Sequence, residues 1–184
     1  MQGKLGVSAA LALVAAMFVV SAQAQVRNSG ASPIALNAVL SDSITLTLSG
    51  NAVNFNLVAG NASNPGSTSI TATTTWTLKP SVGNLRLYAF FSSSTSALSD
   101  GAGNNIPSAD FQISANAGPF AALTGTVPFG GANAGLLVST VRILGNNKTG
   151  THSDVMNFNI NLTPLPNLPS GTYTGTLTIQ AQAI

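Results

Sequence analysis

The chain has 184 residues, 45% of them hydrophobic, with six Lys and Arg against four acidic residues and no cysteine. Disulfides and lipid attachment through an N-terminal cysteine are therefore excluded. The isoelectric point near 9.4 reflects a small excess of cations and not a cluster of them, which argues against nucleic-acid binding, while the abundance of periodic apolar residues argues against disorder.

Residues 1–24 read as an export segment. Lys4 supplies a short positive start, Leu5 to Val20 an apolar run, and Ala22-Gln23-Ala24 a small-x-small cleavage site. The run is shorter than the ~20 residues of a spanning helix, so no transmembrane segment is expected in the mature chain. Residues 25–184 suit a single domain, long enough to bury about 70% of its unfolded surface without covalent staples. The expected destination is the periplasm, the outer surface or the extracellular space.

After a polar lead at 25–33, Ile34, Leu36, Ala38 and Leu40 fall on one face, and Ile44, Leu46 and Leu48 continue in the same phase with Asp42 between them. This predicts one kinked strand or two strands, 34–40 and 43–48, free to lie in different sheets. Gly50-Asn51 reads as a turn, followed by a short strand through Val53, Phe55 and Leu57. Ile70, Ala72, Thr74, Trp76 and Leu78 alternate with Thr71, Thr73, Thr75 and Thr77, a density of β-branched residues that favours strand. Leu85, Leu87, Ala89 and Phe91 resume the pattern, with Arg86, Tyr88 and Phe90 opposite, so both faces carry aromatic bulk.

Ser92 to Asp110 and Asn116 to Gly135 read as long loops on either side of a short strand, 111–115; such loops are where a binding function commonly sits. Leu136 to Leu144 gives a further strand. Met156, Phe158, Ile160 and Leu162 alternate with three asparagines in another. The last fourteen residues, GTYTGTLTIQAQAI, put Tyr173, Leu177, Ile179, Ala181 and Ala183 on one side and Thr and Gln on the other. This predicts a closing strand that uses the terminus structurally. Eight or nine strands with no helical period after residue 24 point to an all-β fold, an immunoglobulin-like β-sandwich with Greek-key connections, with a closed β-barrel as the alternative. The expected core is Trp76, Leu78, Leu87, Phe91, Phe111, Phe158, Ile160, Leu177 and Ile179.

The phrase LPSGTYTGTLTIQA, with Gly171 fourteen residues from the end, resembles the C-terminal strand of bacterial pilin and spore-coat-U-like secreted β-sandwich subunits. The chain departs from that pattern in having Ala183 where those proteins have tyrosine, and in lacking cysteine. The resemblance implies a second feature, an N-terminal extension that completes a neighbour's sheet, for which Ile34, Leu36, Ala38 and Leu40 are the candidates. Gly171, Tyr173, Leu177 and Ile179 mark the matching C-terminal strand.

No catalytic constellation, cofactor site or metal site is expected. His152 is the lone histidine and reads as a loop residue, and neighbouring Ser153 and Asp154 point apart from it along the chain and do not make a triad. Asp42, Asp100, Asp110 and Asp154 are scattered without a pattern for glycoside hydrolysis or calcium. The Thr rows are ordinary solvent-facing strand positions. The expected function is a secreted, non-enzymatic structural or adhesive surface protein whose partners are itself or other surface subunits. The alternative is a monomeric module binding a glycan or small ligand through loops 92–110 and 116–135.

Overall fold

The computed structural model describes residues 33–184; the expected export segment at 1–24 and the lead at 25–32 lie outside these. Val39–Ile184 forms one compact unit. It contains β1 (Ser43–Leu48), β2 (Asn64–Pro65), β3 (Ile70–Thr77), β4 (Asn84–Phe90), β5 (Leu98–Ser99), β6 (Asn105–Ile106), β7 (Phe111–Ala115), β8 (Ala121–Ala122), β9 (Gly135–Arg142), β10 (Thr149–Ile160) and β11 (Thr178–Ala183). A 3₁₀ turn at Ser108–Asp110 is the sole helical element among the described residues, and none of their helices is long and apolar enough to cross a membrane.

All the ladders are antiparallel. The larger sheet runs β1-β3-β10-β7-β8, with β2 also pairing β10, and the smaller runs β11-β4-β9. Neither sheet closes on itself. The fold is thus an open β-sandwich and not the barrel alternative.

Alternation explains the layers. In β3, Ile70, Ala72, Thr74 and Trp76 are buried while the intervening threonines are not; in β10, Asp154, Met156, Phe158 and Ile160 turn inward. Leu87 and Ala89 of the smaller sheet, with Phe91 just past the end of β4, meet Ile70, Phe111, Met156 and Phe158 of the larger one in the main core. Phe111 packs edge-on against Phe91, with ring centres 5.2 Å apart. A second core of Trp76, Leu78, Leu85 and Ile143, flanked by Ile44, Ala181 and Ala183, closes one end of the sandwich. The seven expected core residues from Trp76 to Ile160 are buried, whereas Leu177 and Ile179 are only partly so and pack against the main core.

The structure departs from the sequence reading in several places. The two long loops are folded parts of the core: Ala97, Ile106, Leu123 and Ala134 are buried in it, and β5 and β6 form a hairpin within residues 92–110. Phe129, from the second loop, lies 5.9 Å from the Tyr88 ring and 5.8 Å from that of Phe90, which is what covers the second aromatic face of β4. The β10 strand begins at Thr149, seven residues before the expected Met156, so His152 lies on a strand and not in a loop.

Candidate functional site

The two segments that the sequence marks as assembly features fall in contrasting places. Pro33 to Leu40 has no regular structure, and Ile34, Leu36 and Leu40 are 84%, 90% and 83% exposed. The expected strand 34–40 is therefore unpaired; no ladder among the described residues includes it. With Val39, four large aliphatic side chains are exposed in this one segment, forgoing about 1.5–3 kcal/mol of burial for each.

The C-terminal residues line a cleft. Gly171, Tyr173, Leu177 and Ile179 all border an opening of about 850 Å³ whose other wall is the stretch from Leu48 to Ala59 and whose floor includes Phe91, Phe111, Met156 and Phe158. The walls continue the sheet edges: the first prolongs β1, the edge of the larger sheet, and the second leads into β11, the edge of the smaller. The expected strand through Val53, Phe55 and Leu57 is extended chain with a single bridge, Phe55 to Gly66, and the expected closing strand is regular only from Thr178.

Both rims therefore keep most backbone groups free for a partner. From Gly50 to Leu57, Asn54 alone has a backbone–backbone hydrogen bond among the described residues, accepting from Ser67 N at 2.8 Å. From Ser170 to Thr176, Thr174 alone does so, donating to and accepting from Ser99 at 2.9 Å each. Inward-facing apolar side chains on both rims are partly buried against the main core. Two extended segments with an apolar floor between them and unpaired inner edges can accept an added strand, because such an edge offers a row of free N–H and C=O groups.

The one histidine belongs to a different feature. Asp154, its side chain 2% exposed, accepts hydrogen bonds from Ser139 Oγ on β9 at 2.7 Å and Asn116 Nδ2 at 2.8 Å, and lies 3.2 Å from His152 Nε2. His152 and Asp154 are two apart and share the inward face of β10, while Ser153 points outward to Thr73 Oγ1 at 2.9 Å. Ser139 bonds the carboxylate and not the imidazole, so the trio lacks the serine-to-base contact that nucleophilic catalysis needs. With inward Thr74, these residues form a polar seam between the two apolar cores, linking the sheets. Sequence reasoning missed Ser139 and Asn116; Asn116 adopts a left-handed φ of 51°, which a local pattern does not announce. Among the described residues, no cluster of His, Cys, Asp and Glu could hold a metal ion.

Comparison with protein-family models and with curated proteins finds no match to this chain.

Proposed function

We propose that the protein is a secreted structural subunit that assembles by strand addition, the 34–40 segment of one copy entering the cleft of another. The observation that carries this reading is the pairing of complementary features in one chain. An uncharged segment lies exposed without a ladder, and a cleft with an apolar floor has largely unpaired edges on both sides. Ile34, Leu36 and Leu40 would face the aromatic floor, and the added backbone would take up the free groups of the rims.

Chain reach favours a second copy over self-closure. The segment joins the domain at Ser43, whereas the first rim begins seven residues further along the same edge, at Gly50. Folding back over β1 would consume roughly 23 Å of chain at about 3.3 Å per residue, so most of the 34–40 segment would lie along β1 and not in the cleft. Head-to-tail donation of this kind generates an open filament unless the rotation between copies closes a ring.

The test compares the mature chain with a form lacking residues 25–41. Sedimentation should give a ladder of multimers for the first and monomers for the second, and a synthetic peptide of residues 33–41 should bind the shortened form. An intact protein that stays monomeric at high concentration, with amides 34–40 strongly protected from hydrogen exchange, overturns the reading. Ligand binding by such a monomer through 92–110 or 116–135 would instead favour a binding module.

A further inference from the structure

We infer that the hairpin of β5 and β6, residues 97–106, is the brace that holds the second rim of the cleft in its strand-accepting position, with Gly175 and Asp100 as its positioning residues. The inference rests on the assembly reading above.

The rim from Ser170 to Leu177 needs such support. Its inner edge faces the cleft, and its ladder with β4 starts only at Thr178. Ordering a free segment costs roughly 1–2 kcal/mol per residue, so a rim without an outer partner would have to be organised by the incoming strand itself, weakening assembly. The outer partner is Ser99: its N–H donates to Thr174 O and its carbonyl accepts from Thr174 N, both at 2.9 Å. One residue on, the rim passes so close to the hairpin that a Cβ on Gly175 would overlap the carbonyl oxygen of Ala97 and lie 3.2 Å from Leu98 Cα. These are backbone atoms of a segment anchored by buried Ala97 and Ile106, so they cannot swing aside as a side-chain tip would. Any side chain at 175 must push the rim away from the hairpin, towards the cleft.

The hairpin is itself stiffened at its tip. Asp100 Oδ1 accepts from Ala102 N at 2.8 Å and Asn104 N at 3.0 Å, and Oδ2 accepts from Asn104 Nδ2 at 2.6 Å. These bonds close the turn through Gly101 and Gly103, whose φ values of 75° and 102° suit glycine. Leu98 lines the cleft, so the hairpin contributes to the wall as well as supporting it.

The test uses the full mature chain and two variants, Gly175→Ala and Asp100→Ala. The first displaces the rim; the second loosens the hairpin tip, where Asp100 also lies beside Gly171 of the rim. Assembly is followed by sedimentation across a concentration series, and folding by the thermal midpoint of Trp76 fluorescence, which reports the far end of the sandwich. For Gly175→Ala the concentration at half-assembly should rise at least tenfold, and for Asp100→Ala a few-fold, with the Trp76 midpoint of Asp100→Ala lowered only slightly. Faster amide exchange at Thr174 in Asp100→Ala should accompany the loss. If Gly175→Ala does not fold, Asp100→Ala decides alone. Wild-type assembly by a folded Gly175→Ala, or by Asp100→Ala whether or not its Thr174 exchange is faster, overturns the brace. Failure of the wild-type chain to assemble overturns the underlying reading instead.

Discussion

The two ends of the sandwich are built from the same two sheet edges and differ in whether those edges meet. At one end, β1 and β11 are full ladder members, and Ile44, Ala181 and Ala183 close over Trp76, whose indole N–H donates to Asn147 O at 2.9 Å. At the other, the same edges run on as 50–59 and 168–177, each keeping a single β-bridge, with the cleft between them. The polar seam of Thr74, Ser139, His152 and Asp154 lies between the two cores. The alternation of apolar residues is equally regular at both ends, so period two reports that one face of a segment is buried and not that the segment has hydrogen-bonded neighbours.

The largest expected contrast is in stability. Trp76→Ala empties the centre of the closed end, where the ring is 4% exposed and hydrogen-bonded; it should cost about 3–5 kcal/mol, enough to unfold a domain of ordinary marginal stability. Phe55→Ala removes a partly buried ring from the open end and should cost about 1–2 kcal/mol. Urea denaturation separates the two, and equal losses would show that the open end is as tightly packed as the closed one.

Next in size is the seam. Asp154→Ala would leave Ser139 Oγ and Asn116 Nδ2 without their acceptor, at about 1–3 kcal/mol for each group that stays buried. Because Ser139 is partly exposed and Asn116 exposed, both can turn to water, and a total of about 1–2 kcal/mol is expected. A denaturation midpoint equal to wild type would mean that the seam contributes nothing to joining the sheets.

These contrasts mark what was legible in the chain. The strands at 43–48, 70–77, 84–90, 111–115 and 135–142 could be read to within two residues or so because one face of each is largely apolar or β-branched. The first half of β10 could not, since its inward positions are Gly150, His152 and Asp154; their burial depends on hydrogen bonds from Asn116 and Ser139, far off in the chain. Residues 92–110 read as loop because single apolar residues, Ala97 and Ile106, anchor them among Ser, Gly and Asn. The rims were over-read as strands for the opposite reason, clean alternation without a neighbour. Of the candidate site, all four named C-terminal residues line the cleft, while its opposite wall and the hairpin behind it depend on tertiary placement.

The smallest effect, and the one that separates the main core from the hairpin behind the rim electrostatically, is the pH dependence of two aspartates. Asp110, buried beside the main core, has its pKa raised above 3.8 by desolvation, and its Oδ2 lacks a hydrogen-bond partner. The folded state therefore holds this proton more tightly than the unfolded chain. The contribution is fully present below pH 3.8 and is lost as pH rises through the folded pKa. Asp100, at the hairpin behind the open rim, is shifted the other way, chiefly by the Asn104 side chain and then by the Ala102 N–H. Its contribution is present above pH 3.8 and is lost as pH falls through the folded pKa. Asp110→Asn should accordingly melt above wild type at pH 7 and lose that advantage below pH 3.8, whereas Asp100→Asn should melt slightly below wild type at pH 7 and converge with it in acid. Thermal scans from pH 2.5 to 7 measure both differences. An Asp110→Asn protein with no gain at pH 7 would show that the buried carboxyl is compensated, and the same sign for both variants would remove the electrostatic distinction between the core and the brace.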